Sequence, residues 1–263
     1  MDELLRLVAG GFPDYADNPS DPATLAPAHD HLWAHMDFSG SGSGIVLGAA
    51  GACAVWFCIN GKLDRAGMET ILWTIGAFFL GAIPFSPLVS RYALGKNLRE
   101  VGDGNPGATN VVKAGGVQWG ILAFALDYLK GALPPGIAWF FAGIQDWRLV
   151  PIAVAPVAGH AFSPFLNFKG GKALAATFGV WSGLTLAEVP TMLGLMMTLF
   201  FIILTIDGWA VVLALLPLSI YMLVYKSTVL FAVWAGIFAI VAYKHRADLY
   251  KPLRLKPWIK FSR

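Results

Sequence analysis

Eight mainly apolar stretches, at about 44–60, 70–95, 117–143, 147–166, 173–187, 190–206, 209–225 and 227–243, leave this chain few folds to adopt. A helix that crosses a bilayer needs about 20 such residues, fewer where polar groups face protein, because its backbone must be satisfied without water. The first stretch is short and rich in glycine and alanine. The third is interrupted by Asp127, Lys130 and the Pro134–Pro135 pair, a pattern that suits two shorter pieces. Composition points the same way: 57% of the 263 residues are apolar before the 29 glycines are added, and only 13% are charged. An average soluble domain is roughly 45–50% apolar with glycine included and roughly 25% charged. These values exclude a disordered chain, a coiled coil and a disulfide scaffold, and they argue against an ordinary soluble enzyme. The expected fold class is all-α: a polytopic integral membrane helical bundle of about seven to eight transmembrane segments with interfacial loops.

The scarce charge is unevenly placed. Residues 1–43 hold seven acids (Asp2, Glu3, Asp14, Asp17, Asp21, Asp30 and Asp37) against Arg6, with four prolines. They read as an aqueous acidic arm and not as a signal peptide, which would place an apolar run behind a basic start. The Ser-Gly run 39–44 reads as a joint. Residues 244–263 carry seven Lys/Arg and one acid, which places the C-terminal tail in the cytoplasm by positive-inside logic. Arg91, Lys96, Arg99 and Lys113 favour the same side. Lys62 and Arg65 do too, although stretch 70–95 separates them from Lys96, so the orientation count is inconsistent by one crossing. A net charge of +3 is too small to suggest nucleic acid. Cys53 and Cys58 share one apolar stretch, which offers neither a disulfide framework nor a metal knuckle, and no metal or cofactor is expected.

Polar residues at an apolar boundary are costly unless employed. One cluster runs from Arg99 to Asn110, Arg-Glu-Val-Gly-Asp-Gly-Asn-Pro-Gly-Ala-Thr-Asn. Its glycines free the backbone, and Asn105-Pro106 has the form of a helix cap followed by a first-turn proline. A glycine loop that opens a helix offers N–H groups to an anion, and Arg99 would add a bidentate phosphate clamp. The same residues would also make an ordinary turn between membrane helices. A second cluster holds Gly159-His160 and Phe168-Lys169-Gly170-Gly171-Lys172. It reads as another anion-binding helix start or as a solvated anchor, and it lacks the first glycine and the Ser/Thr of a Walker A loop. Lys244-His245-Arg246 taken alone would be a basic membrane flank.

Together and in this order, these strings resemble the bacterial integral-membrane acyl-phosphate:glycerol-3-phosphate acyltransferases, the PlsY family. The resemblance is carried by Gly81-Ala82-Ile83-Pro84-Phe85, the Arg99–Asn110 loop, Leu126-Asp127-Tyr128-Leu129-Lys130-Gly131, Gly159-His160-Ala161-Phe162, Phe168–Lys172, Ala175-Ala176-Thr177-Phe178-Gly179 and Lys244-His245. It spans roughly residues 68–254, leaving residues 1–67 as an addition. The resemblance implies three parts: the arm 1–43, an extra apolar segment and linker 44–67, and an acyltransferase-like membrane domain 68–263 with its basic tail. It further implies a multi-pass protein of the bacterial cytoplasmic (inner) membrane that acts in phospholipid biosynthesis.

The implied reaction moves a fatty acyl group from acyl phosphate to the 1-hydroxyl of glycerol 3-phosphate, forming lysophosphatidic acid. Acyl phosphate is already an activated anhydride, so no acyl-enzyme nucleophile is required. The site must hold two phosphates and align a hydroxyl with a carbonyl. The expected binding set is Arg99, Gly102, Gly104, Asn105, Gly107, Asn110, Lys169, Gly170 and Gly171, with His160, Lys172 and His245 as catalytic candidates. A phosphate oxygen of the substrate is an alternative base.

Several positions depart from the family pattern. Ala82 and Asp103 stand where serines are usual, Ala173 where a glycine is usual, and Asp248 where an asparagine is usual. The Arg/Ser motif expected between the last helices is not recognisable in residues 205–210. A carboxylate in a phosphate loop opposes anion binding unless it is protonated, turned outward or paired with Arg99 or a lysine. The departures and the arm therefore motivate a rival: a catalytically degraded relative serving as a structural or pigment-associated subunit of a larger membrane complex. Residues 1–67 would then reach the partner, and His31 and His35 share a helix spacing that suits a metal, haem or chlorin, although a solvent-exposed polar cap is the plainer reading of the same residues. Transport of a phosphorylated lipid precursor is a third reading.

Overall fold

The computed structural model describes residues 64–259. The arm, the 44–60 stretch and the His31/His35 pair lie outside the described residues. Among the described residues the regular structure is helical, in nine α-helices with short 3₁₀ turns between some of them. Helix α1 (Arg65–Ala82) starts where the Asp64 carboxylate accepts the Gly67 amide at 2.7 Å. It breaks at Ile83-Pro84, because proline cannot donate to the helix ladder, and resumes as α2 (Phe85–Leu94). The others are α3 (Ala108–Gly115), α4 (Val117–Phe140), α5 (Leu149–Ala161), α6 (Leu174–Thr185), α7 (Glu188–Ile203), α8 (Asp207–Tyr225) and α9 (Thr228–Leu249).

Helix α4 corrects one expectation. The stretch holding Asp127, Lys130, Pro134 and Pro135 forms one continuous helix of 24 residues. Its two charges do not interrupt it because they pair with each other at 2.6 Å, each side chain only 2% exposed. The prolines are buried among neighbouring helices, a setting in which helix breakers are tolerated.

By length and composition, four helical runs among the described residues suffice to cross a membrane: Arg65–Leu94, Leu149–Leu166, Asp207–Tyr225 and Thr228–Leu249. Helix α7 is apolar but shorter, and α6 has 12 residues. The apolar stretches at 173–187 and 190–206 thus become shorter helices.

Glycines set the tightest helix contacts. A Cβ on Gly81 would overlap Pro156, and one on Gly159 would overlap Phe78, so α1 and α5 touch backbone to backbone. Gly131, Gly179 and Gly183 do the same for α4 and α6. Such small-residue seams are how helices associate where lipid removes the hydrophobic drive. Trp181, Leu149, Ile152, Leu215, Leu218 and Ile237 fill the core. The chain end returns along the α7–α8 turn, where the Thr205 amide donates to Arg254 O at 3.0 Å and the Lys256 amide to Ile203 O at 2.9 Å.

Candidate active site

The loop before α3 is folded by its own polar residues. Gly102 and Gly104 take positive φ values of 61° and 69°, which glycine adopts without strain. Between them, Asp103 Oδ1 accepts the Asn105 amide at 3.1 Å and the Asn110 side-chain amide at 2.7 Å. The Asn110 amide also donates to Asn105 O at 2.9 Å. The expected Asn105 cap does not form: α3 begins at Ala108 with Gly107 at the cap position and no side-chain cap bond. Asp103 offers a charged acceptor and turns the chain two residues earlier, so the loop closes before the helix opens. Arg99 braces the result, donating to Gly104 O at 3.3 Å and also to Lys169 O in the second loop.

The second loop, 167–173, packs against the end of α5. The Gly171 amide donates to His160 O at 3.2 Å. A Cβ at Gly170 would overlap the His160 carbonyl, and one at Gly171 the His160 ring, so this glycine pair is required by close approach. Lys244 on α9 pins the same turn from the other side, donating to Ala161 O and Gly170 O at 2.9 Å each. Lys172 lies between two acids, its Nζ 3.3 Å from Asp103 Oδ2 and 3.6 Å from Asp248 Oδ2. Asp248 also holds Lys251 at 2.7 Å.

Beneath these loops lies a buried polar group. Asp127 accepts Ser86 Oγ at 2.6 Å and pairs with Lys130, whose Nζ also donates to Ile83 O at 2.6 Å, beside the Pro84 break. His160 Nδ1 lies 3.7 Å from Asp127 Oδ1. The buried His245 places Nδ1 2.8 Å from Val241 O. A carbonyl can only accept, so Nδ1 carries a hydrogen, and in the neutral ring Nε2 then keeps its lone pair free to take a proton.

Two cavities meet over this framework. One, of about 470 Å³, has a polar end formed by Asn105, Asn110, Lys113, His160, Lys172 and His245, and an apolar wall of Phe124, Leu174, Phe178, Met197, Phe201 and Val211. The other, of about 420 Å³, is an open basic cleft lined by Arg99, Lys172, Lys244 and Arg246. Asp103, Asn105 and Lys172 line both. Burial alone would raise the Asp103 carboxyl. Hydrogen bonds from Asn110 and the Asn105 amide, with the Lys172 ammonium beside it, outweigh that and hold it below the ordinary carboxylate range.

Most residues expected from the sequence therefore converge. Arg99, Gly104, Asn105, Gly170 and Lys172 line the basic cleft, while Gly107, Asn110, His160 and His245 line the other cavity. Gly102 packs by Asn110 and Lys113, and Gly171 by His160. Lys169 is the exception: it contributes its carbonyl to Arg99, and its exposed side chain lines neither cavity. Lys113 and Asp207 were missed as site residues although both line the larger cavity. Lys113 lies three residues beyond Asn110, on the same face of α3, and that spacing was the available signal.

The comparisons with known proteins bear on these strings directly. A family model for glycerol-3-phosphate acyltransferase matches residues 71–254. The chain belongs to the glycerol-3-phosphate acyltransferase family. It is 38% identical over 194 residues to glycerol-3-phosphate acyltransferase 1 of Thermotoga maritima, covering 67% of this chain and 94% of that one. It is 30% identical over 184 residues to the glycerol-3-phosphate acyltransferase of Lacticaseibacillus casei, covering 69% and 87%. The fold is similar to the crystal structure of PlsY (YgiH), an integral membrane glycerol 3-phosphate acyltransferase, in its glycerol 3-phosphate form. That likeness has a TM-score of 0.64 and 32% identity over 69% of this chain and 90% of that one. The lysophosphatidic acid form of PlsY gives a TM-score of 0.62 at 30% identity. The all-α, integral membrane character expected from the sequence is thus that of the glycerol-3-phosphate acyltransferase family.

Proposed function

We propose that this chain transfers a fatty acyl group from acyl phosphate to the 1-hydroxyl of glycerol 3-phosphate, forming lysophosphatidic acid and inorganic phosphate in phospholipid biosynthesis. The carrying observation is that an amphipathic cavity and a basic cleft share Asp103, Asn105 and Lys172. Acyl phosphate suits the amphipathic cavity, with its chain along Phe124, Phe178, Met197 and Phe201 and its phosphate toward Lys172. Glycerol 3-phosphate suits the cleft, where Arg99, Lys172 and Arg246 offer donors to its phosphate. The 1-hydroxyl then faces the acyl carbon where the two cavities meet. Its oxygen bonds to that carbon, the bond from carbon to the phosphate oxygen breaks, and inorganic phosphate leaves. His245 Nε2 is suited to take the hydroxyl proton, and Lys172 neutralises charge on the departing phosphate. His160 supports the second glycine turn that presents Lys172.

The site end of the bundle carries Arg91, Lys96, Arg99, Lys113, Lys169, Lys172, Lys244 and Arg246 against Glu100, Asp103, Asp207 and Asp248, a net excess of bases. This asymmetry supports a site and C-terminal tail on the cytoplasmic side of the bacterial inner membrane.

Phosphate release from purified protein given acyl phosphate and glycerol 3-phosphate tests the reading. Turnover is expected, with Lys172→Ala and Arg99→Ala each reducing it at least about 100-fold, the scale typical of removing a charge-stabilising donor. A well-folded sample that never turns over would overturn the enzyme reading in favour of the structural subunit. Stoichiometric partner chains, or visible pigment in the purified sample, would point the same way.

A further inference from the structure

Lys172 is the one lysine that lines both cavities, and it is held between two acids from distant parts of the chain. Asp103 comes from the loop before α3, and Asp248 from the last turn of α9. The two carboxylates are not equivalent. Asp103 is fixed by bonds to the Asn105 amide and Asn110 as well as by Lys172. Asp248 is fixed by Lys251 at 2.7 Å and packs against Gly208 at the start of α8. Neither distance to Lys172 is short, at 3.3 and 3.6 Å, and the lysine side chain remains 31% exposed toward the open cleft. The ammonium is shared between two acceptors and fully committed to neither, which leaves it exchangeable with a third anion.

We propose that Asp103 and Asp248 are specificity-determining residues that set the affinity of the anion subsite by competing with the substrate phosphate for the Lys172 ammonium. This rests on the acyltransferase reading of the site. A phosphate that enters must draw Lys172 from both carboxylates, so each acid weakens phosphate binding through the lysine. Because either carboxylate alone still detains the ammonium, removing one acid gives a modest gain. Removing both frees the lysine outright. Simple repulsion of phosphate by two fixed charges would behave differently: the gains would multiply independently and persist without Lys172.

The test is binding of radiolabelled inorganic phosphate to the full chain by equilibrium dialysis, with acyl transfer measured on the same samples. Asp103→Asn and Asp248→Asn are suited to it because the amide keeps an oxygen acceptor for the neighbouring bonds while removing the charge. Each single variant is expected to bind phosphate about two- to fivefold more tightly, the scale of a partly exposed ion pair. The double variant is expected to exceed the product of the two gains. In a Lys172→Met background all of these gains should disappear. Equal gains in that background, or no gain in any variant, would overturn the competition while leaving a transferring enzyme intact. Phosphate binding absent from every sample, together with absent turnover, would remove both the inference and the reading beneath it.

Discussion

Arg99 does two jobs with one side chain. Its guanidinium braces Gly104 O and Lys169 O, tying the two loops together, and the same group lines the basic cleft. A lysine keeps the charge but lacks the planar fork of donors that spans two carbonyls. Arg99→Lys is therefore expected to lower kcat/KM about 10- to 100-fold, corresponding to about 1.4–2.7 kcal/mol. An equal loss in Arg99→Ala would show that the brace, and not the charge alone, is what matters. Asp103 yields a pH prediction. Burial would raise its carboxyl, but Asn110, the Asn105 amide and Lys172 together hold it below its ordinary value of 3.8. The ionised carboxylate thus stabilises the folded loop in full above that value, and the contribution is lost only as pH falls through the lower folded one. The difference in melting temperature between the wild type and Asp103→Asn should stay flat from about pH 5 to pH 8 and shrink below about pH 4. A difference that declines already near neutrality would contradict this assignment. At this scale the sequence was most informative about residue types. Glycine, arginine and lysine at those spacings announced anion loops. That Asp103 could pair with a lysine was legible, but which lysine, and that it would be shared with Asp248 on α9, was not, because Asp103, Lys172 and Asp248 meet only once three separate segments have folded together.

Helix contacts were less legible than helix existence. The apolar stretches located α5 to α9 closely, since spanning length and hydropathy are local properties. The continuity of α4 was hidden, because the burial of Asp127 and Lys130 as a pair depends on the α1–α2 break that Lys130 reaches through Ile83 O. The glycine seams were hidden too, as nothing local separates a glycine that packs from one that does not. Gly179 and Gly76 make that contrast testable. A Cβ at Gly179 would overlap the Tyr128 carbonyl on α4, whereas one at Gly76 meets nothing within 4 Å. Gly179→Leu is expected to destabilise the protein by about 3 kcal/mol or to prevent assembly of α4 with α6. Gly76→Ala should be neutral or stabilising by up to about 1 kcal/mol, through helix propensity alone. Thermal unfolding in detergent would check both, and equal melting temperatures for the two variants would refute the seam.

Across the described helices, the excess of basic charge lies at one end. The site end holds Arg91, Lys96, Arg99, Lys113, Lys169, Lys172, Lys244 and Arg246 against Glu100, Asp103, Asp207 and Asp248, a basic excess, while the far end holds Asp64, Glu69, Asp146 and Glu188 against Arg65, Arg148 and Lys226. The far-end charges are largely self-compensating: Arg148 pairs with Asp146 at 2.9 Å and Lys226 with Glu188 at 2.7 Å. Their pairing leaves the site end as the source of net positive charge, the end that the proposed orientation puts in the cytoplasm. Arg65 and Lys96 flank one helical run, Arg65–Leu94, and cannot share a side if it spans the membrane, so one of the two basic votes must fall outside the cytoplasm. The exposed Tyr250 near the site and the exposed Trp147 at the far end make a reporter pair. With Cys53 and Cys58 replaced by serine, Tyr250→Cys should be shielded from a membrane-impermeant thiol reagent in intact spheroplasts and react after lysis. Trp147→Cys should react in both. The reverse pattern would place the anion loops on the outer side of the membrane and would overturn the proposed orientation.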